Sequence, residues 1–196
     1  GAAATLDEVS GGRAFLGIGG GDSALYNIGL KGASVAQIEE YVATVRKLYQ
    51  QHEVDFQGRN VRLAWTKRAV PVYMAASGPK GLRAAGRSAD GVIVGTGVLP
   101  EVVSDALSHI EAGAKEAGRK LADLDIWWLL MGSLDESPDK ALEDIKHSLT
   151  TYANLAFRFS MEGKHLPPQF HDAVRKIHAE YRSKDHVTGG AAGEHA

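Results

Sequence analysis

The sequence predicts an α/β fold in which helices cover a parallel sheet. Short apolar runs of strand length recur along the chain between glycines and prolines, and amphipathic helical patterns lie between them. The apolar runs do not alternate with polar residues, so we expect both faces of the sheet to be covered. Repeated strand–helix units build either a doubly wound sheet or a (β/α)₈ barrel, and these patterns leave both open.

Four apolar runs are predicted as the strands of this sheet. They are Arg13–Gly19, Val70–Ala76, Gly91–Thr96 and Leu124–Gly132. Trp127 and Trp128 are neighbours in the last run, so one ring faces each side of the sheet, and we expect them to pack in the core. A small hairpin over Glu53–Leu63, turning at Gln57–Gly58, is predicted outside the sheet.

Helix-start signals follow most of these strands. Ser34 and Gln37 form a capping-box pattern at the head of the first amphipathic segment. Pro79, Pro100 and Pro138 each stand at a predicted first helical position, and the helix from Pro100 is expected to reach about Gly118. A last helix is marked by apolar residues at helical spacing, namely Phe170, Val174, Ile177 and Tyr181.

Composition narrows the classes of function. The 196 residues carry a net charge of −2, no basic block and no cysteine, which excludes disulfides, zinc–thiolate sites and thiol nucleophiles. No apolar run approaches the roughly 20 residues of a membrane span, and the first residues do not resemble a signal peptide. We expect one cytoplasmic domain over residues 1–196, without nucleic-acid or membrane partners and with a flexible tail over about 185–196.

The residues that follow three of the strands are small or carry a hydroxyl group. Ligands bind at the carboxyl ends of parallel strands, where small residues allow close approach and free N–H groups attract anions. The sequence therefore predicts a phosphate-bearing cofactor across these three loops. The predicted cofactor-binding residues are Gly20, Gly21, Asp22, Ser23, Ala75, Ala76, Ser77, Gly78, Lys80, Gly95, Thr96 and Gly97.

Sharper motifs in "GIGGGDSALY" are incomplete. Asp22 stands where a dinucleotide fingerprint needs its last glycine, and no Gly-Lys-Ser/Thr follows for a P-loop. "GDSAL" resembles the nucleophile block of GDSL-type hydrolases, with Ser23 as nucleophile and Asp144 and His147 as a D-x-x-H pair. That pair falls within an amphipathic helix, which favours a solvated face. The hydrolase is kept as an alternative function.

Histidines near the carboxyl end offer no metal-binding pattern. His171 and His178 lie seven residues apart with Asp172 beside the first, whereas chelation from one helix face uses a spacing of four. We expect surface histidines and no metal site.

The ordered motifs resemble a known family. "TLDEVSGGRAFLGIGGGDSALYNIG", "VPVYMAASGPKGLRAAGRSADGVIVGTG" and "AGRKLADLDIWWLLMGS" are similar to the bacterial luciferase-like superfamily, nearest the branch that contains methylenetetrahydromethanopterin reductase. The resemblance runs from Thr5 to Leu134. It implies a (β/α)₈ barrel of which only about strands four to seven are present, because Arg13–Gly19 resembles the fourth strand and the tryptophan strand the seventh.

The resemblance also implies an oxidoreductase or monooxygenase that uses FMN or the deazaflavin coenzyme F420 on a small-molecule substrate. The twelve loop residues match the family's segments around the cofactor's phosphate, ribityl chain and substrate border. No general acid or base is named, because the family's catalytic apparatus lies mostly on the early strands. A half-barrel exposes two sheet edges, so we expect a homo-oligomer. A non-catalytic structural half-barrel is the second alternative.

Overall fold

The computed structural model describes residues 1–22, 25–26, 28–157 and 160–181, so Ser23 and the predicted tail over 185–196 lie outside it. Within that part of the chain the strands are β1 Leu16–Ile18, β2 Glu53–Phe56, β3 Arg59–Arg62, β4 Val72–Ala76, β5 Gly91–Val94 and β6 Asp125–Trp128. The helices are α1 Ala2–Ser10, α2 Val35–Gln51, α3 Pro79–Ser88, α4 Pro100–Glu116, α5 Pro138–Phe157 and α6 His171–Glu180, with short 3₁₀ turns at Leu121–Asp123 and Pro168–Phe170.

Four strands form one parallel sheet in the order β1-β4-β5-β6. Gly17, Tyr73, Gly91 and Asp125 lie level with one another across it. The strands of this sheet that follow one another in sequence are joined through a helix, and this pattern confirms the predicted repeat of strand–helix units. Because the strands run in the same direction, their carboxyl ends meet along one edge.

The strands are shorter than predicted at their ends. The tryptophan strand was expected to reach Gly132, but β6 ends at Trp128. Its neighbour β5 ends at Val94, whose carbonyl accepts the last hydrogen bond of the pair from Leu129 N at 2.9 Å. An apolar run can exceed its strand because ladder partners, and not side chains, set where the strand stops.

Local signals are confirmed where they were predicted. Ser34 caps α2 through a complete capping box with Gln37, and α3 and α4 each begin with a proline in the first turn. β2 and β3 form the antiparallel hairpin, with Gln57 and Gly58 both at positive φ, as a two-residue hairpin turn requires.

The helix-covered face of the sheet, which we call the outer face, holds the main core. Val72, Met74, Val92 and Val94 are fully buried there against Ile110 and residues of the other covering helices. Close packing of α3 and α4 depends on two glycines: a Cβ at Gly86 would lie 2.2 Å from the Ile110 carbonyl oxygen, and a Cβ at Gly113 would lie 1.9 Å from that of Arg83. No side chain larger than hydrogen fits at either position.

The opposite face, called the inner face, corrects the prediction that both faces are covered. It carries Phe15, Gly17, Tyr73, Ala75, Gly91, Ile93, Asp125 and Trp127. Phe15 is 42% exposed and Trp127 is 43% exposed, whereas Trp128 packs against the main core from the other side of β6. No described element covers Phe15 and Trp127 on this face, whereas Tyr73, whose ring contacts both of them, is 7% exposed.

Two features complete the described part of the chain. α5 and α6 share a small second core made by Ala156, Phe157 and Val174, with Met161 and Leu166 packed against it. Among the described residues, no helix is both long and apolar enough to cross a membrane.

Candidate functional site

The predicted cofactor loops meet along the carboxyl edge of the sheet. A Cβ placed on Gly19, just after β1, would contact the Cβ of Ala75 at 3.7 Å. A Cβ placed on Gly95, just after β5, would contact Ser77 Oγ at 3.6 Å. The three strand exits are therefore neighbours, as the parallel sheet predicts.

A small cleft opens between the ends of β4 and β5 and the segment that follows α5. Its lining residues are Ser77, Leu82, Thr96, Val102, Asp105, Ala106, Gly163 and Lys164. Two of these, Ser77 and Thr96, belong to the predicted site. The cleft therefore joins two loops that lie far apart in sequence to a third segment that the sequence analysis did not single out.

α3 begins at the border of this cleft, which Ser77 and Leu82 line. Gly78 is the N-cap in extended conformation, no side chain caps the helix, and Pro79 occupies the first turn. The first N–H groups of a helix lack partners within it and carry partial positive charge. Thr96 also lines the cleft, and its Oγ1 is buried without a hydrogen-bond partner. An unpaired buried hydroxyl group costs free energy, which an acceptor bound in the cleft would recover. These groups are donors of the kind that an anion accepts hydrogen bonds from.

Lys164 brings a buried amine to the same cleft. The residue is 8% exposed, its Nζ donates to the carbonyl oxygen of Ala156, and it lies 5.5 Å from the ring centroid of Phe157. A Cβ on Gly78 would lie 3.6 Å from Lys164 Cε, so the lysine stem borders the beginning of α3. Burial lowers the pKa of the Lys164 amine, because a low-dielectric environment disfavours the charged form.

One carboxylate anchors the segment that carries Lys164. Asp105 Oδ1 lies 3.2 Å from His165 Nε2 and 3.4 Å from His109 Nε2. Asp105 and His109 are on α4, whereas His165 follows α5 with a left-handed φ of 46°. The cluster therefore ties the Lys164 segment to α4 across the cleft.

The loop after β1 is held by its own contacts. A Cβ on Gly20 would crowd Ile38 Cδ1 at 3.1 Å, and the Gly20 carbonyl accepts a hydrogen bond from Ala33 N at 2.7 Å. Gly21 adopts a φ of 80°, and the Asp22 carbonyl accepts from the next turn. Packing therefore explains why Gly20 and Gly21 are glycines, whatever they bind. Ser23 lies outside the described residues.

The remaining predicted residues are divided between the cleft and its surroundings. Ala75 is exposed on the inner face, whereas Ala76 packs against the main core. Lys80 is exposed on α3 and does not line the cleft, and Gly97 turns the chain with a φ of 95°. The structure thus gathers Ser77, Gly78, Gly95 and Thr96 and leaves Lys80 aside. No sequence pattern marked Lys164, whose position depends on a tertiary contact.

The residues of the rejected motifs have ordinary surroundings. Asp144 Oδ2 accepts a hydrogen bond from Ser133 Oγ at 3.1 Å, and the side chain of His147 lies outside the described part of the structure. His171 Nε2 lies 2.8 Å from the Leu166 carbonyl oxygen, and Asp172 pairs with Arg175. Nothing in these contacts supports the hydrolase hypothesis.

Comparisons with known proteins agree with the fold. The chain is 34% identical to a 5,10-methylenetetrahydromethanopterin reductase of Methanolobus tindarius over 70% of its length and 44% of that protein's. It is 34% identical to an F420-dependent glucose-6-phosphate dehydrogenase of Nakamurella multipartita over 73% of its length and 46% of that protein's. The coenzyme F420-dependent tetrahydromethanopterin reductase structure from Methanopyrus kandleri superposes with a TM-score of 0.66 at 28% identity, over 98% of this chain and 60% of that one.

The chain spans about half the length of these curated relatives. The superposition confirms a partial (β/α)₈ barrel, because one such structure accommodates nearly all of this chain with part of its own length unmatched. The model of the family described as luciferase-like monooxygenase matches residues 1–194. The chain therefore belongs to the luciferase-like monooxygenase family.

Proposed function

We propose that this chain is the cofactor-phosphate half of an oxidoreductase that uses coenzyme F420 on a small-molecule substrate. The observation that carries the proposal is the uncapped beginning of α3 beside the unpaired hydroxyl group of Thr96. The relatives and the superposed structure named above depend on F420 or act on a methanopterin, which favours F420 over FMN. Monooxygenase chemistry with FMN is the second candidate, on the strength of the family's description.

In this proposal the chain's own groups bind one end of the cofactor. The free N–H groups in the first turn of α3 and the Ser77 and Thr96 hydroxyl groups donate to phosphate oxygens. Lys164 adds positive charge from the side of the cleft. Gly95 and Gly97 leave space for the cofactor's chain, and Gly20, Gly21, Asp22 and Ala75 border it along the edge of the sheet. When bound, the cofactor supplies hydride transfer.

Phosphate recognition can be separated from ring binding by paired ligands. FMN and riboflavin differ only in the phosphate. F420 differs from its phosphate-free deazaflavin in the tail that carries the phosphate. We expect the chain to bind the phosphate-bearing member of each pair more tightly in fluorescence titrations up to tens of micromolar. Hydrogen bonds to charged groups contribute about 1.5–3 kcal/mol, so Thr96→Val should weaken that member roughly tenfold or more.

The same substitution elsewhere supplies the control. Thr5 is exposed on α1 and does not line the cleft. Thr5→Val should therefore leave the affinities for the phosphate-bearing and the phosphate-free ligands unchanged. The phosphate-free ligands should bind equally to the parent chain and to Thr96→Val. Equal affinity for the two members of each pair in the parent chain would refute the placement of the phosphate. No binding of any of the four would refute the proposed function.

A further inference from the structure

We propose that Asp105 makes the cleft favour a cofactor whose phosphate is a diester with one negative charge over a cofactor that ends in a phosphate monoester with two. The inference rests on the proposed function and deepens it, because it concerns the phosphate that the cleft would hold. The phosphate of coenzyme F420 is a diester. FMN ends in a monoester, which carries two charges at pH values above its second pKa of about 6. The cleft would therefore distinguish the two cofactors by charge.

Asp105 stands on the side of α4 that lines the cleft. Val102, Asp105 and Ala106 all line it, and spacings of three and four residues lie on one side of a helix. Val102 and Ala106 are buried, and the side chain of Asp105 is 12% exposed. The carboxylate thus lies among buried apolar groups, where salt and water screen a charge less than they do at the surface.

Two histidines, and no side chain of permanent charge, hold this carboxylate. Asp105 Oδ1 lies 3.2 Å from His165 Nε2 and 3.4 Å from His109 Nε2. Among the ion pairs of the described residues, none joins Asp105 to a lysine or an arginine. A histidine adds positive charge only when it is protonated, and free imidazole is mostly neutral at pH 8. At that pH the carboxylate contributes its negative charge to the cleft.

The positive charge that the cleft offers to a phosphate is small. Of the described residues that line it, Lys164 is the one with a cationic side chain, and burial lowers the pKa of its amine. The uncapped beginning of α3 adds about half an elementary charge. The formal charges of Lys164 and Asp105 are equal and opposite. What remains for the ligand is therefore close to the partial charge of the helix.

A weak positive field favours one ligand charge over two. The attraction of an anion to fixed charges grows in proportion to its charge, whereas the free energy needed to remove it from water grows with the square of its charge. In this cleft the second charge of a monoester therefore adds more desolvation than attraction. A diester can accept the proposed hydrogen bonds from Ser77 and Thr96 at a smaller desolvation cost.

Three ligands with the same ring test the charge preference. They are riboflavin, FMN and the 5′-monomethyl phosphate ester of FMN, whose phosphates carry zero, two and one charges at pH 8. Fluorescence titrations use the 196-residue chain at pH 8 and low ionic strength, which limits screening. We expect the methyl ester to bind about tenfold more tightly than FMN, and FMN to bind more tightly than riboflavin.

Asp105→Asn tests whether Asp105 makes the selection. The amide keeps the size of the side chain and an acceptor oxygen for His109 and His165, but it removes the charge. A doubled ligand charge doubles the interaction energy with Asp105 and so squares the change in affinity. This variant should bind FMN about tenfold and the methyl ester about threefold more tightly than the parent chain does. Its affinity for riboflavin should be unchanged.

Asp139→Asn is the matched control. Asp139 is exposed in the first turn of α5, a helix of 20 residues, whereas the segment that lines the cleft follows the last turn of that helix. The same substitution at this position removes the same charge from the chain. It should leave the ratio of the affinities for FMN and its methyl ester unchanged. Circular dichroism checks that both variants fold.

The outcomes separate this inference from the proposed function. If neither phosphate ligand binds more tightly than riboflavin, the placement of the phosphate fails and this inference fails with it. If both bind more tightly than riboflavin but FMN equals or exceeds its methyl ester, the placement stands and the charge preference is refuted. That comparison needs no variant. If Asp105→Asn keeps the ratio of the parent chain, the selection is not made by Asp105, which then only anchors His165.

Discussion

The two faces of the parallel sheet are made from the same strands and have opposite surroundings. On β4, Met74 is 1% exposed under the helices, while its neighbour Ala75 is exposed on the inner face. On β6, Trp128 packs in the main core and Trp127 does not. Both faces carry apolar side chains. Apolar side chains predict that a face is covered, whereas the topology determines which elements cover it.

The largest difference between the faces is expected from truncating a core side chain. Met74→Ala should destabilise the fold by about 2–5 kcal/mol, because it removes buried contacts and leaves a cavity. Trp127→Ala should cost about 1 kcal/mol, because the ring is already partly solvated. Urea unfolding measures both. Equal losses would contradict the contrast between the two faces.

Glycines give the second comparison. Gly113→Ala should destabilise by about 3 kcal/mol, because the new methyl group would overlap the Arg83 carbonyl and force α3 and α4 apart. Gly17→Ala on the inner face should change the free energy of unfolding by no more than about 0.5 kcal/mol, since its methyl group meets only an ordinary contact. Thermal unfolding of the two variants beside Gly132→Ala, where no atom lies within 4 Å, separates crowding from the general effect of removing a glycine.

Much of the outer face could be predicted from the sequence because its signals are local. The Ser34–Gln37 capping box, the prolines at helix starts and the Gln57–Gly58 turn each depend on a few consecutive residues. The family and the partial barrel follow from the resemblance of the ordered motifs, because the order of strands and helices alone leaves a doubly wound sheet open. These are the features that tertiary contacts do not need to decide.

The open face and the cleft could not be predicted in the same way. Whether Trp127 is covered depends on tertiary contacts of the inner face, and the end of β6 depends on where β5 stops. Lys164 reaches the cleft because the segment after α5 folds back onto α3 and α4, and its contact with Gly78 joins residues 86 positions apart in sequence (164 − 78). The sequence predicts that Trp127 and Trp128 face opposite sides of β6, but it does not show which side is exposed, because both sides carry apolar side chains.

The titration of Tyr73 on the inner face should make the free energy of unfolding depend on pH. Burial, followed by the hydrogen bond to Asp125 and its charge, raises the pKa of Tyr73 to about 12 from 10.0. A raised pKa means that the folded state holds the proton more tightly, so the contribution is complete below pH 10 and is lost as pH rises through 12. The loss should be roughly 2 kcal/mol in the parent chain relative to Tyr73→Phe.

Unfolding by urea between pH 9 and pH 12 measures this loss. Asp125→Asn retains an acceptor for the Tyr73 hydroxyl group but removes the charge, so its pH dependence should lie between those of the parent chain and Tyr73→Phe. Identical pH profiles for the parent chain and Tyr73→Phe would show that the hydroxyl group titrates as it does in the unfolded chain. That result would contradict the hydrogen bond from Tyr73 to Asp125.

The smallest effect on the free energy of unfolding is expected at Lys164, whose amine is buried. Burial lowers the pKa of this amine from its ordinary value of 10.5. At pH values between the lowered pKa and 10.5, the unfolded chain therefore binds the proton more tightly than the folded chain does. Stability of the parent chain should therefore rise with pH as the interval is crossed, and Lys164→Met should lack that rise while being the more stable protein at pH 7. Lys140→Met, at an exposed position on α5, should follow the parent chain. Urea unfolding from pH 7 to pH 10.5 decides the matter, because a Lys164→Met variant that is less stable at pH 7 would mean that the contacts to Ala156 and Phe157 outweigh desolvation.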